Sequence, residues 1–198
     1  MIKSTLITAT FPAQNSSRRS HIETNDGTLL FYQDLGTGQP VVFIHGWALN
    51  ADIWEYQMTD LSSQGLRCIA YDRRGCGRSS QPGQGYDFDR LADDLAALIE
   101  QLHLHGVTLV AHSMGGGEIA RYLSLHGSEC IDRVVFVAST TPFLLKTPDN
   151  PDGIDRSFYN DMVAKVSKDR PHYMATVAPI FFGVELPNVS VSSEMMQW

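Results

Sequence analysis

Short apolar runs separated by helical spacings make up most of this chain. Pro40 to Ile44 is continuously apolar, as expected of a strand buried on both faces, and Arg67 to Tyr71, Val107 to Ala111 and Arg133 to Ala138 read as further strands. Between them the apolar spacing lengthens to that of a helix. Trp54, Met58 and Leu61 share one face, with Asp52 expected as N-cap, Glu55 as its capping-box partner and Gly65 as the stop. Phe88, Leu91, Leu95, Leu98, Ile99 and Leu102 form a longer stripe opened by Asp87, and Ile119, Ala120 and Leu123 mark the buried side of another helix. Near the start, His21 to Asn25 and Thr28 to Asp34 flank Asp26-Gly27, a hairpin signal.

Strand, helix, strand, helix, strand predicts an α/β fold with a mostly parallel, doubly wound sheet. Ligands of such sheets bind at the strands' carboxyl ends. Beyond Ser139-Thr140-Thr141-Pro142 the rhythm changes. Pro148 to Gly153 is loop-like, Ile154 to Ser167 is helical with Phe158, Met162, Val163 and Val166 on one face, and Pro171 to Phe182 is apolar and aromatic. The expected organisation is a mobile leader over 1–20, an α/β core over 21–141 and a helical lid over 142–198.

The candidate chemistry lies at two strand ends. Val107 to Ala111 runs into His112-Ser113-Met114-Gly115-Gly116-Gly117, a strand, a sharp turn and the start of a helix. Ala111-x-Ser113-x-Gly115 follows the G-x-S-x-G pattern that exposes a nucleophilic hydroxyl above a sheet. Acyl transfer also needs amide donors for the oxyanion, and the backbone N–H groups of Met114 and of Trp47, after Pro40 to Ile44, are placed to serve. His45 and Gly46 would hold that second loop. The turn Asp72 to Ser79 fits neither a P-loop nor a dinucleotide fingerprint, so its arginines are expected to make structural salt bridges.

Composition narrows the field. The net charge of −7 over 198 residues, with no basic block, argues against nucleic acid as a partner. Cys68, Cys76 and Cys130 show neither metal spacing nor a paired framework, which suits reduced thiols in the cytoplasm. No apolar run is long enough to span a bilayer. No metal and no cofactor are expected, and self-association is left open.

The segments Phe43-Ile44-His45-Gly46-Trp47, Trp54 to Met58, Asp72 to Ser79 and Ser113 to Gly117 together resemble the α/β-hydrolase superfamily. Within it they are similar to bacterial arylesterases and the cofactor-free, non-haem chloroperoxidases or perhydrolases. The resemblance implies Ser113 as nucleophile, Trp47 and Met114 as oxyanion hole, and a small carboxylic ester as substrate. It implies that peroxide can replace water and yield a peracid. Ala111 stands where the family usually has glycine. Ala48 stands where perhydrolase-leaning members carry proline, which favours hydrolysis.

The family's acid and histidine lie on later strand ends, in the order nucleophile, acid, histidine. No histidine follows His172. His112 should point to the opposite face from Ser113, His126 and His172 match no family position, and Asp149 and Asp152 sit too far along for the acid. The triad Asp and His are therefore expected to be absent, as in a C-terminally truncated hydrolase with an exposed strand edge. The rival expectations are a non-catalytic or vestigial binding module and a C–C bond hydrolase or lyase on the same fold. Dehalogenases and epoxide hydrolases would want aspartate at position 113.

Overall fold

The structure, a computed structural model, describes residues 20–141, 143–184 and 186–197. The leader expected over 1–20 lies outside the described residues but for Ser20. The chain forms two units, Met1–Pro142 and Phe143–Trp198.

In the first unit six strands make one sheet: β1 (His21–Glu23), β2 (Leu29–Leu35), β3 (Gln39–Ile44), β4 (Leu66–Tyr71), β5 (Val107–His112) and β6 (Ile131–Val137). Their order is β1-β2-β4-β3-β5-β6. β4, β3, β5 and β6 pair in parallel, while β1 and β2 add antiparallel on one side. The hairpin expected at Asp26-Gly27 joins β1 to β2, with Gly27 at φ 79° and the Thr24 N–H donating to the Thr28 carbonyl at 2.9 Å.

Three helices clothe the sheet: α1 (Glu55–Ser63), entered through a 3₁₀ turn (Ala51–Trp54), α2 (Phe88–Gln101) and α3 (Gly115–His126). Side chains alternate across each strand, so the central strands β3, β4 and β5 feed two cores. Val42, Ile44, Ile69, Leu109 and Ala111 pack with Leu95 and Leu98 of α2 and Ile119 of α3. Val41, Phe43, Cys68 and Ala70 pack on the other side with Trp54 and Met58. This is the doubly wound arrangement that the apolar runs implied. Asp87 caps α2, its carboxylate accepting from the Arg90 N–H at 3.0 Å.

Three local expectations are corrected. Asp52 does not cap the first helix: Asn50 accepts from the Asp52 N–H at 2.8 Å, and the Asp52 carboxylate instead takes bonds from Gln33 and Arg78. The sixth strand starts two residues earlier than its apolar core, because its first turns of pairing involve Ile131 and Arg133 beside β5. On α3 Ala120, expected to be buried, is exposed, while Glu118 is buried.

The second unit holds α4 (Arg156–Lys168), α5 (Arg170–Phe181) and α6 (Ser193–Gln197). Asp155 and Asp169 cap α4 and α5. Neither α4 nor α5 has a buried residue, and Phe158 and Val163 of the expected apolar face are 55% and 59% exposed. Full burial of an aliphatic or aromatic side chain contributes roughly 1.5–3 kcal/mol, so core stabilisation is concentrated in the first unit.

Candidate active site

β3 and β5 are neighbours in parallel register, Ile44 opposite Ala111. Their carboxyl ends therefore deliver His45-Gly46-Trp47 and His112-Ser113-Met114 side by side. A Cβ built on Gly46 would stand 3.2 Å from the Ser113 Cβ and 2.7 Å from His112 Nδ1, so only glycine admits this approach. A Cβ on Gly115 would stand 2.9 Å from Ile44 Cγ2 and 3.0 Å from the Ile44 carbonyl oxygen. The start of α3 is thus seated directly on the end of β3.

Ser113 has φ 50°, in the left-handed region that non-glycine residues seldom occupy. Its backbone is held on both sides. The Ser113 N–H donates to the Val137 carbonyl at 3.0 Å. The Ser113 carbonyl accepts from the Gly116 N–H at 3.0 Å, the Thr140 N–H at 3.2 Å and the Thr140 hydroxyl at 3.4 Å. The side chain is half-buried. This is the geometry of a strained strand-to-helix elbow. α3 begins next to it with no side-chain cap, so the positive end of its dipole faces the turn.

The neighbouring loop is fixed by His45, which is 1% exposed. Its Nε2 accepts from the Arg73 N–H at 3.0 Å, which leaves the proton on Nδ1, and Nδ1–H donates to the Gly46 carbonyl at 2.8 Å. In a trans peptide the C=O and N–H point opposite ways, so this bond turns the Trp47 N–H away from His45. Burial, seconded by the Arg73 charge, holds the His45 pKa down at about 3. Burial also pushes His112 below the ordinary histidine range. Trp47 is 45% exposed, and Ala48 after it has φ 60°.

Below this surface lies a buried polar cluster that sequence patterns did not single out. Arg73 Nε donates to Glu118 Oε2 at 2.8 Å, Arg73 Nη2 donates to the His45 carbonyl at 2.8 Å, and the Tyr71 hydroxyl donates to Glu118 Oε1. Burial pushes the Glu118 carboxyl up, against the pull of the Arg73 charge and of the bonds from Tyr71 and Arg73. The one sequence signal was an acidic residue on the apolar side of α3. The other arginines of the Asp72 to Ser79 turn make the structural bridges expected of them. Arg74 grips Asp94 with two bonds of 2.6 Å, and Arg78 pairs with Asp72 at 2.9 Å.

The remaining candidates belong to other elements. His126, at the far end of α3, bonds Asp93 at 3.0 Å. A helix rises 1.5 Å per residue, which puts it about 16 Å along the axis from the start of α3. His172 lies in α5, and Asp149 and Asp152 in the turns between Thr147 and Ile154, all in the second unit. Cys68 is buried, while Cys76 and Cys130 are half-buried. Among the described residues no cluster suits a metal ion, and no helix is long and apolar enough to cross a membrane.

The chain is 44% identical over 169 residues to the non-heme chloroperoxidase CPO-A1 of Kitasatospora aureofaciens, covering 85% of this chain and 62% of that one. It is 37% identical over 179 residues to the bifunctional esterase/perhydrolase DCH of Acinetobacter calcoaceticus, covering 89% and 65%. A bromoperoxidase structure from Bacillus anthracis superposes with a TM-score of 0.84 at 41% identity, covering 90% and 66%. The chain thus spans less than two thirds of the length of these relatives. A family model described as alpha/beta hydrolase fold matches residues 39–182, and the chain belongs to that family.

Proposed function

We propose that this chain carries the nucleophile and oxyanion hole of a serine hydrolase for small carboxylic esters, arylesterase-like, with peroxide as an alternative acceptor. The observation that carries it is Ser113 at φ 50° on the end of a central parallel strand, against Gly46 of the neighbouring strand end. Ser113 Oγ attacks the ester carbonyl and loses its proton to a base, while the Trp47 and Met114 N–H groups receive the oxyanion. The C–O bond to the alcohol breaks, the alcohol leaves with a proton, and an acyl-Ser113 remains. Water then releases the acid; hydrogen peroxide would release a peracid instead. His45, Gly46 and Gly115 support the hole without transferring protons.

The base and its acid are assigned to no residue of this chain. His45 is engaged on both ring nitrogens, and His126 is bonded to Asp93. That favours a second reading, in which this chain by itself binds and captures acyl groups but turns them over slowly. The relatives named as an esterase/perhydrolase and as a chloroperoxidase support both acceptors. Ala48, where perhydrolase-leaning members of the resembled group carry proline, favours hydrolysis.

Incubation with a fluorophosphonate followed by peptide mass mapping tests the assignment. The adduct is expected on Ser113 and is expected to vanish in Ser113→Ala. Labelling at another residue, or p-nitrophenyl acetate turnover that survives Ser113→Ala unchanged, rejects it. Steady turnover well above background that depends on Ser113 rejects the slow-capture reading.

A further inference from the structure

We propose that Glu118 and Arg73 are positioning residues that lock the two oxyanion donors to each other. The inference rests on the serine-hydrolase reading above, and it assigns a role to a buried ion pair that the chemistry does not touch.

The two donors come from different elements. Met114 sits at the start of α3, and Trp47 sits on the loop after β3. Glu118 is one helical turn after Met114 on α3, so its carboxylate is rigidly tied to the first donor. Arg73 bridges from that carboxylate to the His45 carbonyl, and its own N–H holds the His45 ring. The ring in turn holds the Gly46 carbonyl and so aims the Trp47 N–H. Four bonds of 2.8–3.0 Å thus run from the nucleophile's helix to the second donor. Glu118 is 0% and Arg73 4% exposed, and Tyr71 closes the remaining carboxylate oxygen.

Stability alone does not explain the pair. Desolvating two charges costs about as much as their attraction returns, and apolar replacements of equal volume are often neutral or stabilising. What a fully satisfied buried network does supply is a single arrangement of the groups it joins. Catalysis by preorganised amides needs that, since a displacement of about 1 Å in one donor can cost roughly a hundredfold in rate.

The test uses the ¹⁵N-labelled 198-residue chain, with phenylboronic acid as probe. Its boron takes up Ser113 Oγ, a B–O bond forms, the serine proton passes to buffer, and the tetrahedral anion presents an oxygen to the hole. In the wild type, the Trp47 and Met114 amide peaks are expected to be single and to shift together on adding the probe. In Glu118→Gln the Gly46 and Trp47 peaks are expected to broaden or double. The probe-induced shift of Trp47 should fall at least fivefold while that of Met114 remains. The apolar variant Tyr71→Phe/Arg73→Met/Glu118→Leu, which leaves no buried charge or hydroxyl unpaired, is expected to do the same at nearly unchanged Tm. Sharp Gly46 and Trp47 peaks with an intact Trp47 response in either folded variant overturn the proposal. So does a change spread evenly over the sheet, or a chain that unfolds in both forms. A wild type in which the probe shifts neither amide, or shifts them equally in Ser113→Ala, sinks the Ser113 assignment instead. The probe-free Gly46 and Trp47 peaks of the variants then still decide the role of the pair.

Discussion

At the scale of single residues, His45 shows how burial fixes a protonation state that a site depends on. The imidazole is neutral in the fold down to about pH 3, whereas in the unfolded chain it takes up a proton near its ordinary 6.5. The unfolded state therefore binds more protons between these values, and stability falls as pH drops from about 6.5 towards 3. Full protonation of one such group changes stability by about 1.4 kcal/mol per pH unit, so urea unfolding at pH 7, 6, 5 and 4 is expected to show a loss of about 1 kcal/mol per unit below pH 6. His45→Asn keeps a donor near the Nδ1 position and should flatten that part of the curve. An unchanged slope in the variant would place the proton uptake elsewhere. The carboxylate of Asp72 loses its contribution in a lower window: burial works to raise its pKa, but bonds from Arg78 and the Ala51 N–H outweigh this and hold it down. Gly115 makes a second prediction at this scale. An added Cβ meets Ile44 Cγ2 and backbone oxygens of β3 at 2.9–3.2 Å, so Gly115→Ala must push α3 off the strand. Overpacking of this kind costs about 1–3 kcal/mol, and the midpoint of a denaturant titration should fall accordingly.

At the scale of elements, the parts that were legible are those whose burial is complete on one face. β3, β5 and α2 could be read directly, because apolar runs of that kind have few alternatives once a cap such as Asp87 marks the start. Asp87→Ala should cost about 1 kcal/mol by removing an acceptor for the Arg90 N–H, measurable by chemical denaturation. What the sequence hid was tertiary pairing. Asp52 looks like a cap from its neighbours, yet its partners are Gln33 and Arg78, nineteen and twenty-six residues away. Glu118 stands on the apolar side of α3, but its partner Arg73 lies forty-five residues earlier in the chain. The apolar stripe expected on α4 is left exposed at Phe158 and Val163, because no fully buried partner layer accompanies it in its unit. For the candidate site, Ser113 and the two proposed donor positions, Trp47 and Met114, were legible as a strand-turn-helix and its neighbouring strand end. The Ser113 backbone clamps from Val137 and Thr140 did not, since they depend on how β6 lies beside β5.

At the scale of the molecule, the sheet is asymmetric. One side ends in the short antiparallel pair β1 and β2, while the other ends in β6, which pairs with β5 alone among the described strands. Val135, Phe136 and Val137 there are 44%, 49% and 41% exposed. An apolar, unpaired strand edge is a template for association, and a lysine on it is a natural remedy. The 198-residue chain is therefore expected to associate as its concentration rises, and Val135→Lys is expected to shift the light-scattering mass towards the monomer. Identical masses for the two proteins across a concentration series would rule the edge out as the cause. The position of β6 also reaches the chemistry. Val137 and Thr140, at and just beyond its end, hold the two backbone bonds that keep Ser113 in its strained turn. Peripheral strands are the first to fray on warming. Ser113 should therefore go blind to a covalent probe several degrees before the helices melt: the outermost rung of the ladder would act as the safety catch of the proposed nucleophile.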